Sequence, residues 1–344
     1  MLPPVYGNIL PEFFDQQAPE ETRATCESCA MCNKAEGAIP SSILFRPDVK
    51  CCSYHPKLPS YLIGAILAEG GEGARRIEAK IARRVGVTPQ WISAPQKFLV
   101  LYEAARESSF GRSTTLICPY FEQGRCTVWK NREAVCATYF CKYEQGAVGK
   151  AFWTNMRAYL NWTERALTEH ALKVIAPELV EPQIARLKLS IEDLEDRPPS
   201  EETYSACWGA WKGREKDLYA ASHQVIAALS RDDYERIVHQ DRGRELFAEV
   251  LARYDDVHEP KLAERLVVNP EMKKLHFANG VAVTTYSIYD TLFLADPLLS
   301  VLEKLRADET LKEGLARLDR DEDIRIEESL LLMLQQHRIL VVPT

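Results

Sequence analysis

The chain has 344 residues, 46% hydrophobic and 27% charged, with a net charge of −7, the balance of a globular protein of about two domains at roughly 100–200 residues each. No run approaches the roughly 18–20 apolar residues of a membrane span, and an acidic chain lacks the basic face of a dedicated nucleic-acid binder. The N-terminal stretch MLPPVYGNILPEFFDQQAPEE has neither a basic start nor an apolar run, so it does not read as a secretory signal, and a cytoplasmic location is expected.

In chain order, residues 1–23 read as a proline-rich, acidic, extended arm. Residues 26–57 have cysteines and prolines but little periodicity, as loops organised by a metal would. From Leu58 to Arg84 the apolar spacing is helical but broken by Gly70, Gly71 and Gly73, which predicts two short helices and a glycine joint. The glycines lack the preceding strand and the remaining parts of a phosphate loop. PQKFLVLYEAARESS predicts another helix. Beyond Gly149 a long amphipathic helix puts Phe152, Met156, Tyr159 and Leu160 on one face. Helices are expected at Pro182–Leu194 and Glu201–Leu229, and a further one begins at Ser230, a good N-cap with acidic residues after it. Trp153, Trp162, Trp208 and Trp211 are read as core. Around Asn279–Gly280 the pattern alternates as in a hairpin, and the last segment reads as three short strands followed by three helices. The expected fold is mainly α with small β. It comprises an arm (1–23), a cysteine-rich metal-binding head (24–148), a helical region (149–258) and a C-terminal winged helix (259–344).

Ten cysteines need a reason, and nine of them lie before residue 142. In a reducing compartment, clustered cysteines bind metal or do redox chemistry rather than form stable disulfides. Cys26, Cys29 and Cys32 recur every third residue, so one tight loop can point successive sulfurs at one centre. Cys51 and Cys52 are adjacent, and Cys118, Cys126, Cys136 and Cys141 follow. Zinc and iron–sulfur sites both combine such a run with distant ligands, and a proline after a remote cysteine, as at Cys118–Pro119, recurs in ferredoxin-type sites. All nine are candidate metal ligands. Nine thiolates exceed one four-ligand site and leave one over from two, so one centre or two stay open. A [4Fe–4S] cluster is favoured, with zinc the alternative. Cys207 is read as a buried hydrophobe, and His55 as a turn-packing residue with a nitrogen ligand as its alternative.

CESCAMC, KCCSYHP and LICPYFEQGRCTVWKNREAVCATYFC together resemble the zinc- or iron-chelating YkgJ-like cysteine-cluster family over about residues 24–145. The resemblance implies Cys29, Cys32, Cys51, Cys52, Cys118, Cys126 and Cys136 as ligands. Cys26 and Cys141 are additions to the family pattern, and Glu133 stands where a proline is usual. Flagellin lysine methylases are relatives with such a cluster beside an S-adenosylmethionine-dependent activity, but no methyl-donor motif is legible. The segment NPEMKKLHFANGVAVTTYSIYDTLFLADPLLSVLEKLRADETLKEGLARL resembles the PqqD-like peptide-binding modules. That resemblance implies an edge strand that pairs with a peptide, and a groove lined or supported by Leu330, Leu331 and Leu334. The expected function is metal binding coupled to recognition or modification of a peptide or protein partner. The alternative is a non-enzymatic metal-binding or redox-sensing protein with a structural cluster. Whether the chain is an enzyme stays open.

Overall fold

The computed structural model describes residues 2–7, 9–15, 19, 21–23, 26, 29–32, 44–180 and 195–343, the side chains of 106 and 107 excepted. The helix expected at Pro182–Leu194 lies outside the described residues. The protein is mainly helical with small sheets, 54% helix against 9% strand. Among the described residues no helix is long and apolar enough to cross a membrane. Two compact units are each assembled from separated stretches: Met1–Ala18, Phe45–Tyr139 and Met156–Phe247 form the first, and Pro19–Leu44, Phe140–Asn155 and Ala248–Thr344 the second. The chain changes unit inside two continuous helices, which composition shifts along the sequence do not reveal.

In the first unit, β1 (Leu58–Pro59) leads into α1 (Ser60–Glu69), and α2 (Gly71–Arg83) follows at once. The expected glycine joint is there: Gly70 and Gly71 have φ of 75° and 71°, a left-handed backbone that costs other residues energy and ends the first helix. β2 (Trp91–Ile92) pairs antiparallel with β1, and α3 (Gln96–Ser109) matches the predicted helix. β3 (Phe121–Glu122) and β4 (Arg125–Cys126) form a hairpin. Its two loop residues, Gln123 and Gly124, both have positive φ, the turn whose twist suits a two-residue loop. α4 (Ala134–Thr138) and the 30-residue α5 (Gly146–Ile175) follow. Next come α6 (Glu201–Trp208), α7 (Glu215–Ala227), α8 (Arg231–Val238) and α9 (Asp241–His258). Ser230 caps α8 as expected, in a reciprocal box with Asp233.

Trp208 and Tyr219 are fully buried in a core with Ile63, Ile77, Leu172 and Leu218, the packing role read for the tryptophan. The N-terminal segment is not a loose arm. Tyr6 is buried and its hydroxyl bonds the Tyr61 hydroxyl at 2.9 Å, and Phe14 stacks on Tyr159 and Phe247.

In the second unit, β5 (Val267–Val268) pairs with β9 (Leu340–Val341). A three-stranded antiparallel sheet runs in the order β6 (Lys273–Phe277), β7 (Gly280–Thr284), β8 (Leu292–Ala295). The helices α10 (Asp296–Leu302), α11 (Leu311–Glu322) and α12 (Glu328–Gln336) follow. The hairpin forms one residue earlier than the Asn-Gly signal places it. Gly280 pairs with Phe277, so the loop residues are Ala278 and Asn279. Gly280 serves close approach instead: a Cβ there would lie 2.4 Å from the Leu294 carbonyl and from the Phe293 ring. Val281, Val283, Leu294, Leu302, Leu331 and Leu334 share the core. Leu331 and Leu334 are therefore interior supports, and Leu330 packs against that core partly buried. All five residues of β6 are exposed on this outer strand.

Candidate metal centre

None of the ten cysteines is joined in a disulfide. The first unit holds Cys51, Cys52, Cys118, Cys126, Cys136 and Cys207, with Cys118 in the Trp208 core and Cys52, Cys126 and Cys207 packed against it; the second holds Cys26, Cys29, Cys32 and Cys141. Among the described residues no group of three or more histidine, cysteine, aspartate or glutamate side chains is drawn together tightly enough to grip a metal ion.

In the first unit three local structures present the sulfurs. The turn after Val49 carries Cys51 and Cys52. The Cys118 amide donates to the Cys52 carbonyl at 2.7 Å, which ties the two segments together at the thiols. The β3–β4 hairpin then returns Cys126 opposite Phe121, close to Cys118. Cys136 enters on the first turn of α4. Glu133, in the place of the family's proline, is that helix's N-cap: its carboxylate accepts from the Val135 amide at 2.7 Å and the Cys136 amide at 3.0 Å. Glu164, from α5, accepts from the Ala134 amide at 2.6 Å. A proline could provide no such acceptor, and helix-terminal amides need one.

Electrostatics link Cys118, Cys126 and Cys136. Burial pushes the Cys118 thiol up to about 12, with the Cys126 sulfur adding and the Lys80 ammonium opposing. The Cys136 thiol is raised well above the ordinary value, first by burial, then by Glu133 and by Cys118. Ligation of such thiols requires loss of their protons, so any metal binding at them would be proton-coupled.

The donor set suits a soft, thiolate-held metal. His55 is not available to it. Its Nδ1 donates to the Pro56 carbonyl at 3.0 Å and its Nε2 lies 2.9 Å from Lys80 Nζ, while burial and the Lys80 charge push its pKa down to about 3. One group is left over. The Tyr120 hydroxyl, on a fully buried ring, has no hydrogen-bond partner among the described residues, and its electrostatic neighbours are the Cys118 and Cys126 thiols. A buried donor without an acceptor costs about 1–3 kcal/mol, and a metal-bound thiolate is an acceptor a phenol can use. Nothing in the sequence singles out Tyr120.

In the second unit the Cys32 amide donates to the Cys29 carbonyl at 3.2 Å, closing the loop of the cysteine run. Cys141 is buried, and its thiol is raised to about 11, first by burial and then by the Cys29 sulfur. The segments that carry these thiols are fastened just outside them. The Arg23 amide donates to Glu144 Oε1 at 3.0 Å, and Arg23 Nη1 to the Tyr143 carbonyl at 3.0 Å. The Glu144 amide donates to Glu21 Oε2 at 2.7 Å. The Arg23 guanidinium also forks onto Asp290, at 2.6 and 3.1 Å. Asp290 is fully buried and takes the Tyr286 hydroxyl as well. His337, at the end of α12, accepts from Arg23 and donates from Nδ1 to the Met333 carbonyl. Spacing along the chain gave no sign of this clasp, because Arg23 and Asp290 are 267 residues apart.

Comparison with protein-family models, with characterised proteins and with solved structures returns no match.

Proposed function

We propose that the protein binds metal through cysteine thiolates, as a [4Fe–4S] cluster in preference to zinc, and recognises or acts on a peptide or protein through its C-terminal module. The observation that carries the metal reading is the electrostatic contact of the Cys118, Cys126 and Cys136 thiols within one unit, beside a buried tyrosine hydroxyl without an acceptor among the described residues. The resemblance to the YkgJ-like family supports the same reading. Purification without oxygen, followed by a visible spectrum and metal analysis, tests it. A brown protein with iron in excess of zinc is expected, stoichiometric zinc without colour selects the alternative metal, and a protein with neither iron nor zinc sinks the reading.

The peptide reading takes the C-terminal module as a winged helix of the PqqD-like kind. Its support is β6, an outer strand whose residues, Leu275 and Phe277 among them, are all exposed, as strand addition requires. Extended peptides selected from a random library against the full-length protein should protect the amides of residues 273–277 from hydrogen exchange, and protection elsewhere alone would remove β6 from the role. Burial of Cys118 and Tyr120 favours, as a second reading, a fully ligated cluster that serves structure or redox sensing, since catalytic metal sites keep a position open.

A further inference from the structure

We infer that β6 selects an extended peptide whose alternate residues run apolar, apolar, acidic from its N- to its C-terminus. Laid antiparallel to β6, its two apolar residues meet Phe277 and Leu275, and its carboxylate meets Lys273. This rests on the strand-addition reading above and gives the peptide's register and chemistry.

The register follows from the hairpin. Phe277 and Gly280 flank a two-residue loop, so they form a hydrogen-bonded pair, and such pairs alternate with unbonded ones along an antiparallel ladder. Phe277, Leu275 and Lys273 therefore spend their amides and carbonyls on β7. Those of Lys274 and His276 point the other way, along the outer edge of the sheet. A strand added antiparallel at that edge makes its hydrogen bonds with Lys274 and His276. Opposite Lys273, Leu275 and Phe277 it makes the unbonded pairs, in which the side chains lie closest.

The chemistry follows from the face. Paired residues share a face, so Leu275 stands in a row with Ala282 and Phe293, and Phe277 in a row with Gly280 and Ala295. The opposite face carries Val281, Val283 and Leu294, which share a core with Leu302, Leu331 and Leu334. The reading face is thus turned away from the helices, and is not the helix groove that the resemblance implies. On it Leu275, Phe277 and Phe293 are 48%, 40% and 46% exposed, while Ala282 is buried. The Phe293 ring closes over Gly280 and its centre lies 6.2 Å from that of Phe277, so Phe293 is a positioning residue for Phe277. Lys273, exposed on the same face, stands opposite Thr284 rather than a carboxylate. Lys274, on the other face, is held by Glu303 at 2.9 Å. Charge on the reading face therefore sits at one end of the row, and it is positive. A second copy of the chain fits this edge poorly. Antiparallel self-pairing about Leu275 sets Lys273 opposite Phe277 and Lys274 opposite His276, with no carboxylate from β6 to meet either lysine.

The full-length protein and three short acetylated peptides test the pattern. The first carries phenylalanine, valine and glutamate at alternate positions with threonine between them, the second has lysine for glutamate, and the third is the first in reverse order. The first should bind most tightly, with the other two about threefold or more weaker, and its advantage over the lysine peptide should shrink as salt is raised. Hydrogen exchange should show protection gained at the Lys274 and His276 amides and unchanged at Leu275 and Phe277. Lys273→Glu should invert the preference between the glutamate and lysine peptides, whereas Phe277→Ser should weaken both; each of these side chains is exposed, so the fold is not at stake. Equal binding of the forward and reversed peptides, or no inversion by Lys273→Glu, overturns the pattern. Library-selected peptides that protect Lys274 and His276 but lack the pattern also overturn it, and leave strand addition standing. A dimer that protects the same amides without peptide overturns the choice of partner. Protection by the designed and selected peptides that falls only on β8 or α12, or nowhere, overturns both the pattern and strand addition at β6.

Discussion

In the first unit Cys118 is held by burial. Cys118 packs into an aromatic core, Tyr120 lies beside it, and the nearby polar groups are either capped into a helix turn or left without a partner. In the second unit the thiol segments are held by charge. Arg23, Asp290, Tyr286 and His337 form a clasp around one fully buried carboxylate. Burial raises a thiol's pKa and resists ligand loss without directing geometry, because dispersion is non-directional. A bidentate guanidinium–carboxylate pair fixes orientation, yet it depends on every member being present. The two units should therefore fail in different ways.

The largest expected difference comes from Asp290→Ala. Removal of one partner of a buried ion pair costs about 3–5 kcal/mol. Hydrogen exchange resolved by residue should show protection lost in β7, β8 and α12, with α1 and α7 unchanged. Equal loss in α1 and α7 would make the two units a single cooperative block.

A pH series separates them next, with opposite signs. His55, buried against Lys80, Phe98 and Tyr120, has its pKa pushed from 6.5 to about 3. Its folded form excludes a proton that the unfolded chain accepts, so its contribution is full above pH 6.5 and is lost as pH falls toward 3. Glu21 faces Glu144, Arg23 and Trp153, and burial raises it from 4.5 to about 7. Its folded form keeps a proton that the unfolded chain releases, so its contribution is full below pH 4.5 and is lost as pH rises through about 7. In denaturant titrations from pH 4 to 8, His55→Asn should flatten the acid limb and Glu21→Gln the neutral one. If each variant only shifted the whole curve by a constant, neither titration would be at work.

The smallest effects come from the helix caps, one in each unit. Ser230→Ala removes the side-chain acceptor of a reciprocal box, and Thr310→Ala does the same on α11. Each should cost about 1 kcal/mol, read from thermal or denaturant midpoints, and hydrogen exchange should place each loss in its own unit.

Signals that depend on neighbouring residues were legible in the sequence. The Ser230 cap, the break at Gly70 and Gly71, the long α5 and the hairpin after Lys273 each follow from residues within a few positions of one another. The role of Gly280 was not, because what requires glycine is the approach of Phe293 and Leu294 from another strand. The cysteine spacings pointed to thiolate chemistry, but their allotment between units depends on where the chain crosses from one to the other, at residues 44–45 and 139–140. Glu133 read as a departure from a family pattern, and its work as a helix cap appears only with the backbone of α4. Glu164 gave no signal at all, since its partner amide at Ala134 is 30 residues away.

The interleaving of the units also sets an order of events during synthesis. Residues of the second unit begin at Pro19 and end at Thr344, with most of the first unit made in between. At roughly 5–20 residues per second, about 15–60 s separate the emergence of residue 44 from that of residue 344. For that interval Cys26, Cys29 and Cys32 wait for Cys141, and then for Asp290 and His337, on a nascent chain whose thiols are open to oxidants. The first unit, complete by residue 247, has Cys118 buried while the second is still being made. An oxidant present during translation would thus damage the early cysteine run before it reached Cys118.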